Sequence, residues 1–392
     1  QWPENINLPG YNPPGVADDN QIAKAAELIN KAERPVVIAG HGVVISHAFA
    51  ELKELVEKAQ IPVVTTLLGI SSFAPDHLLH VGMPGMHGLA YASLALDKSD
   101  LVISLGARFD DRVTGRLSDF APHAKTLHFD IDPSEFNKNV RADVAVLGDL
   151  KLSLQGLIPQ IKREVHVDWL KTIETLKSEH PSLKIRESDE LLPQYVLQQL
   201  SEITHGESVV VTGVGQHQMW AAQHYRFKEP NTWLTSGGLG AMGFEVPAAL
   251  GAKVGRPDKT VWSIAGDGGF QMTMCDLATA VENQIDVKFA ILNNGVLGMV
   301  HQWQEFFYDK DFFATEYSGN PDFVKIAEAY GIKGIRVTDK TQVVGAIQEA
   351  METPGPVVLD FIVKSDEPVY PMIPAGESVN EMMEEPIIER VS

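Results

Sequence analysis

The feature that most constrains this chain is a recurring pair: a short run of consecutive apolar residues beside a stretch whose apolar residues fall at helical spacing. Pro35-Val36-Val37-Ile38-Ala39 is the first such run, and it follows Ile22, Ala25, Ala26 and Ile29, which share one helix face between Asp18 and Glu33. The same alternation predicts a helix over 48–58, a strand over 62–67, a helix over 89–96 and strands over 101–106, 126–132 and 144–147. A second series follows, with helices over 192–203, 244–252, 271–282, 322–330 and 342–351 and strands over 208–212, 260–265, 287–292, 334–337 and 356–363. Strands that are apolar at successive positions are covered on both faces, and intervening helices allow their neighbours to run parallel. The expected fold class is therefore α/β, with two tandem doubly wound parallel-sheet domains. Residues 1–161 are read as the first, the charged segment 162–189 as a surface linker with some helix, and 190–392 as the second.

Charge narrows the partners. Lys and Arg number 32 against 52 Asp and Glu, a formal net charge of −20, and no basic cluster reverses it, so neither nucleic acid nor a membrane is expected as a partner. No apolar run approaches the roughly 18 residues of a spanning helix. A single cysteine, Cys275, forms no internal disulfide and fits a reducing compartment, cytoplasm or an organelle stroma. The 13 histidines contain no His-Glu-x-x-His pair, so a catalytic zinc is not expected. The chain opens Gln1-Trp2-Pro3, without an initiator Met or a leader of the signal type, and is read as lacking its natural N-terminus.

The chemistry-bearing pattern lies in the second series. The run Val261-Trp262-Ser263-Ile264-Ala265 passes directly into Gly266-Asp267-Gly268-Gly269 and a helix. Such a turn offers backbone N–H groups to a phosphate, and Asp267 offers a hard oxygen to a divalent cation. Taken alone, a strand-end Gly-Asp-Gly is more often only a tight turn. The next strand ends in Asn293-Asn294, one βαβ crossover later, which sets Asp267 and Asn294 side by side at the carboxyl edge of the sheet, where α/β ligands bind. One carboxylate, one amide oxygen and a backbone carbonyl suit an octahedral magnesium completed by diphosphate and water. The stretch from Gly238 to Gly243 formally fits G-x-G-x-x-G, but Trp262-Ser263-Ile264 stands where a ribose-binding acid belongs, so a nicotinamide cofactor is not expected.

Gly266-Asp267-Gly268 followed by Asn293-Asn294 resembles the signature of thiamine-diphosphate enzymes. In that family the aspartate, the second asparagine and a main-chain oxygen two residues on hold the metal, which assigns Mg2+ to Asp267, Asn294 and Val296 and places Gly266, Gly268 and Gly269 at the cofactor. The flanking sequence is similar to the acetohydroxyacid (acetolactate) synthase catalytic subunits. The stretch from Thr212 to Gln223 resembles their diphosphate-contacting segment, with Gln216 and His217 as contacts. The stretch from Ser236 to Gly243 resembles the segment beneath the aminopyrimidine, with Gly240 near the ring and Met242 as the apolar wedge that bends the cofactor. The stretch from Leu297 to Trp303 resembles the second-substrate site, where Trp303 favours 2-ketobutyrate over pyruvate.

The first domain carries its own resemblance. Gly85, Met86 and His87, with Gly106, Arg108 and Asp110, match the family's FAD-contacting segments, and Thr66, Leu67, Asp130 and Ile131 add contacts. Arg112 matches the arginine that meets the acceptor's carboxylate, and the stretch from Pro371 to Gly376 resembles the tail that covers the site. At two positions the sequence departs from the pattern: His41 stands in a glycine-rich turn beside FAD, and Glu245 stands where the family commonly has glycine. The glutamate that activates the cofactor belongs to an N-terminal pyrimidine-binding domain, and no residue of this sequence inherits its role, so this portion alone is expected to be inactive.

The resemblance implies a carboligase in branched-chain amino acid (valine, leucine, isoleucine) biosynthesis. It would join pyruvate, after loss of carbon dioxide, to a second pyruvate or to 2-ketobutyrate. The implied cofactors are thiamine diphosphate, Mg2+ and FAD, and the implied assembly is a homodimer or tetramer with a small regulatory subunit. Three other readings stand beside it: glyoxylate carboligase, an FAD-redox oxidase of pyruvate, and a non-catalytic oligomerisation or regulatory module.

Overall fold

A computed structural model describes residue 10 and residues 13–385; the outer ends of both expected domains, 1–9, 11–12 and 386–392, lie outside the described residues. The first unit contains β1 (Pro35–Ala39), β2 (Val63–Thr65), β3 (His80–Gly82), β4 (Leu101–Leu105), β5 (Lys125–Asp130) and β6 (Val144–Leu147). They form one sheet in the order β3-β2-β1-β4-β5-β6 with every pairing parallel. The second unit contains β7 (Val209–Thr212), β8 (Trp233–Thr235), β9 (Val261–Gly266), β10 (Val287–Asn293), β11 (Lys333–Val337) and β12 (Val357–Ile362). Its order is β11-β12-β10-β9-β7-β8, again all parallel.

Both sheets are covered on two faces. Along β1, Val37 and Ala39 pack with Leu52, Leu55 and Leu154 on one side, while Val36 and Ile38 pack with Ala92, Leu96 and Trp169 on the other. Along β7, Val210 joins Trp220, Leu197 and Ile347, whereas Val209 and Val211 join Val246, Phe270 and Phe289. This two-sided burial is why the strands read as unbroken apolar runs.

Three differences from the sequence reading have clear causes. Strands β3 and β8 carry no signal in the sequence: each has three residues of mixed polarity, whereas the equally short β2 lies in the apolar run from Ile61 to Val64. The helix expected over 271–282 begins instead at Asp267, directly off the strand, and is interrupted at Met274–Asp276 by a single 3-10 turn. The charged segment 162–189, read as a surface linker, carries the helix Val167–Glu179, whose Trp169, Ile173 and Leu176 are buried against the first sheet's helices. Trp169 also donates Nε1–H to the carbonyl of Pro35 at 3.0 Å. That helix is part of the first unit's packing.

Polar contacts join the two units near their carboxyl edges. Trp233 Nε1 donates to the Leu67 carbonyl at 2.8 Å, and Gln223 Nε2 donates to the His87 carbonyl at 2.9 Å. The segment after β12 returns across the first unit, where Ile373 N–H donates to the Met86 carbonyl (2.8 Å) and Arg116 N–H to the Glu377 carbonyl (2.9 Å).

Phe289 links this packing to the chemistry. It is fully buried on β10 and meets Phe270 edge to face at 6.2 Å, and Phe270 stands on the helix that begins with Asp267. Phe289→Ala is expected to cost about 3–5 kcal/mol, the usual loss for a buried aromatic replaced by a cavity. Urea unfolding followed by tryptophan fluorescence checks this, and a loss below about 1 kcal/mol would show that the contact is not part of the core.

Candidate cofactor-binding site

The strand order reverses between β1 and β4 in the first sheet; in the second it reverses between β7 and β9 and again where β12 is inserted between β10 and β11. Ligands of open parallel sheets bind where neighbouring strands lead away in opposite directions, as at β1/β4 and β7/β9. The metal candidates follow β9 and β10, next to the reversal at β7/β9. Register pairs Gly266 with Leu292, so the residues that follow on β9 and β10 emerge together. Asp267 is only 2% exposed. Its Oδ1 accepts the Gly268 N–H at 2.8 Å; its Oδ2 accepts the Gly295 N–H at 2.8 Å and the Asn320 side-chain amide at 2.7 Å. Burial raises its pKa while these three donors oppose the rise.

Asn294 donates Nδ2–H to Gln216 Oε1 at 3.3 Å, and its Oδ1 accepts the Val296 N–H at 3.4 Å. Val296 is itself buried and forms an isolated antiparallel bridge to Glu316. Among the described residues no group of three or more His, Cys, Asp and Glu side chains gathers to hold a metal. A cation here would therefore draw on one carboxylate, one amide oxygen and one carbonyl. That hard, weakly charged set fits magnesium shared with a diphosphate.

The loop after β7 supplies Gly215, at φ +149°, and the helix Gln216–His224. Gln216 is tied inward, its Nε2 donating to Gln302 Oε1 and to the Glu367 carbonyl, both at 2.9 Å. His217 is buried and its Nε2 has no hydrogen-bond partner. Its Nδ1 would lie 2.9 Å from a Cβ on Gly266 and 3.2 Å from one on Gly215, so the ring occupies the space between the two glycine turns.

Met242 reaches the same place, with Cε 2.9 Å from where a Cβ on Gly268 would stand. Gly240, at φ +68°, and Leu239, at 99% exposed, lie open on the rim. Gly269 is buried at the foot of the helix. Trp303, on the helix Gly298–Phe307, is half-buried with its ring edge to face against Phe307 at 5.3 Å.

The first unit's candidates stand on the carboxyl ends of five strands. Gly106, at φ +59°, packs on Gly42, and its missing side chain is required, since a Cβ there would lie 2.5 Å from the Gly42 Cα. Thr66 caps the turn Leu67–Gly69, its Oγ1 accepting the Gly69 N–H at 3.2 Å. Gly85, Met86 and His87 follow β3, and the Met86 N–H donates to the Arg112 carbonyl at 2.8 Å. His87 is buried with Nδ1 unpartnered. Arg108 pairs with Asp110 at 2.9 Å, Asp130 ends β5, and the exposed Ile131 follows it. His41 stands at the start of the helix His41–Ile45, where partial desolvation of its ring and the Arg108 charge lower its pKa. Arg112 keeps its guanidinium largely in solvent, 2.5 Å from Asp111. The unpartnered His87 nitrogen and the glycine-lined reversal fit a dinucleotide.

Two residues beside Asp267 carry no signal in the sequence. Asn320 bridges Asp267 and Asn293 with one amide nitrogen, and the Tyr317 hydroxyl crowds Gly268, with burial and Asp267 pushing its pKa up to about 12. Both lie in an irregular loop, where no periodic pattern could point to them. A cavity of about 540 Å³ between the units, lined by His80, Tyr91, Gln198, His224 and Arg226 among others, contains none of the assigned residues.

Comparison with known proteins gives the family. The thiamine pyrophosphate enzyme central-domain model matches residues 22–157, and the thiamine pyrophosphate enzyme C-terminal TPP-binding-domain model matches residues 213–361. The chain belongs to the thiamine pyrophosphate (thiamine diphosphate) enzyme family. Among its relatives are the acetolactate synthase of Mycobacterium leprae, 47% identical over 97% of this chain and 63% of that protein, and the acetolactate synthase large subunit of Corynebacterium glutamicum, 46% identical over 96% and 62%. The chloroplastic acetolactate synthase 1 of Oryza sativa is 44% identical over 97% of this chain and 61% of that protein. The chain thus spans a little over three fifths of the length of these relatives.

Burial holds His87 and His217 neutral, lowering each from 6.5 to about 4. A base whose native pKa is depressed binds fewer protons folded than unfolded across that interval, so its contribution is intact above pH 6.5 and is lost as pH falls toward 4. Denaturant unfolding between pH 4 and 7 should show stability falling with acid. His87→Gln or His217→Gln should each flatten that slope, by on the order of 3 kcal/mol across the interval. An unchanged slope in both variants would contradict the assigned burial.

Proposed function

We propose that this chain is the FAD-associated and thiamine-diphosphate-binding part of an acetolactate synthase large subunit. The observation that carries the reading is the convergence at one sheet reversal of Asp267, Asn294 and the Val296 segment with His217 and Met242. Thiamine diphosphate, when bound, supplies the electron sink for decarboxylation of a 2-keto acid and for joining the remaining fragment to a second one. The chain's own part is to bind and orient. Asp267 and Asn294, with the Val296 carbonyl, would hold Mg2+ and through it the diphosphate. Met242 would press from below to fix the bend of the cofactor, and Trp303 would shape the acceptor pocket.

Pyruvate is the proposed donor, pyruvate or 2-ketobutyrate the acceptor, and Arg112 would leave Asp111 to grip the acceptor's carboxylate, a bidentate role suited to a guanidinium. FAD at the first reversal would be structural, since this condensation transfers no net electrons. A homodimer or tetramer with a small regulatory subunit, working in the cytoplasm or an organelle stroma on the route to valine, leucine and isoleucine, completes the proposal. Among the described residues, no helix is long and apolar enough to cross a membrane.

The test is acetolactate formation from pyruvate by the complete natural protein, with and without thiamine diphosphate and Mg2+. Cofactor-dependent product is expected, and Asp267→Ala should lower thiamine diphosphate affinity by at least about a hundredfold, as expected for loss of a metal-anchoring carboxylate. Product from glyoxylate but not pyruvate would replace the proposal with the glyoxylate carboligase reading.

A further inference from the structure

Asn293, the first of the two asparagines after which β10 gives way to its turn, has no role in the account so far. It is buried, and its side chain stands between two partners. Nδ2 donates to Asp360 Oδ1 at 2.9 Å, while Oδ1 accepts the Asn320 amide at 2.9 Å. Asn320 uses that same amide nitrogen to donate to Asp267 Oδ2 at 2.7 Å. Two amides therefore connect the carboxylate of Asp360, on β12, with the carboxylate of Asp267.

Asp360 is only 1% exposed. It lies opposite Arg336 in the register of β11 with β12, and Arg336 Nε donates to its Oδ2 at 3.2 Å. The outer end of the guanidinium donates to Asp322 Oδ1, and Asp322 caps the helix Phe323–Ala329. Burial raises the Asp360 pKa, and the Asn293 amide and the Arg336 charge draw it back down. A guanidinium stays protonated in a protein, so Asp360 is held as an acceptor by a permanent cation.

That fixed acceptor gives the chain of amides a direction. An asparagine amide has a donor end and an acceptor end of nearly the same shape, so the groups it faces decide which way it turns. Asp360 takes the Asn293 nitrogen, which leaves the Asn293 oxygen facing Asn320. Asn320 must then present its nitrogen, whose second hydrogen meets Asp267. Gln271 Nε2, 3.3 Å from Asn320 Oδ1, favours the same orientation. Turned round, Asn320 would set its oxygen against a buried carboxylate and remove one of its three donors.

We propose that Asp360, held by Arg336, is a positioning residue for the metal edge: acting through Asn293 and Asn320, it fixes the donor that steadies the Asp267 carboxylate for a divalent cation. The proposal rests on the cation site assigned above and adds to it residues that do not touch the cation. Direct charge effects predict something different for Arg336. Taking away a positive charge near a cation site should strengthen cation binding, whereas loss of the Asp360 anchor should weaken it.

The test is Mn2+ binding by the complete natural protein with saturating thiamine diphosphate, followed by electron paramagnetic resonance. Arg336→Gln should bind Mn2+ about threefold more weakly, and Asp360→Asn and Asn320→Ala each about tenfold more weakly, the range for a lost hydrogen bond to a charged group. In the Asn320→Ala background neither Arg336→Gln nor Asp360→Asn should weaken binding by more than about twofold further, because groups that act through one another are not additive. A charge effect of Asp360, or damage to the strand, would lower affinity equally with or without Asn320.

Unchanged or tighter Mn2+ binding by Arg336→Gln overturns the proposal, as does a full further loss in the Asn320→Ala background. If Asp360→Asn does not fold, Arg336→Gln, altered at a side chain that reaches solvent, decides with and without Asn320→Ala. Failure of the unsubstituted protein to bind Mn2+ with thiamine diphosphate would overturn the site assignment, and the positioning role with it. Normal binding by the unsubstituted protein with unaffected variants overturns the positioning role alone.

Discussion

The carboxylate of Asp267 sits almost out of reach of solvent, at the point where β9 becomes a helix without an intervening loop, and three N–H donors hold it there. Each donor comes from a different piece of chain: its own helix, the turn after β10, and the long connection to β11. Removing a charged group from water is costly unless its hydrogen bonds are replaced, so those pieces must converge for the carboxylate to be tolerated. The convergence fixes the neighbours too. Gly295 and Asn294 belong to the same turn, Asn294 reaches Gln216 after β7, and Gln216 reaches the segment after β12 through the Glu367 carbonyl. The polar edge of the second sheet is one connected network anchored on a buried negative charge.

The two units share a design and differ in what it carries. Each is a six-stranded parallel sheet, and each brings glycines to a reversal of strand order, at β1/β4 in the first and at β7/β9 in the second. In the first unit Gly42 and Gly106 pack backbone against backbone, which closes the edge tightly. In the second, the space above Gly215 and Gly266 is filled by an imidazole, and that above Gly268 by Met242, Leu297 and Tyr317. The segment after β12 ties the two edges together. Gln302 holds it at Val369 and the Met86 carbonyl receives Ile373, so residues separated by more than two hundred positions are kept in one frame.

Much of this was legible in the sequence, and the limits were physical. Strands of four or more buried residues, such as Pro35–Ala39 and Val287–Asn293, were legible because two-sided burial demands unbroken apolar runs. The pairing of Asp267 with Asn294 was legible because one crossover separates neighbouring parallel strands. His80–Gly82 and Trp233–Thr235, short and of mixed polarity, carried no signal, and the helix Val167–Glu179 hid three core residues within a charged stretch. Asn320 and Tyr317 act across a long irregular connection whose path local sequence does not determine. Glu245 was visible only as a departure from the family pattern, and its complete burial was not, since a charged residue at a helix start normally meets solvent.

The central claim is that Asp267, Asn294 and the Val296 carbonyl form the metal-bearing end of a diphosphate site. The most direct test is anomalous diffraction from crystals of the complete natural protein grown with thiamine diphosphate and Mn2+ in place of Mg2+. The account predicts one strong manganese peak bound by those three groups and by the diphosphate. A peak elsewhere, or a bound cofactor whose ion does not touch Asp267, would contradict it.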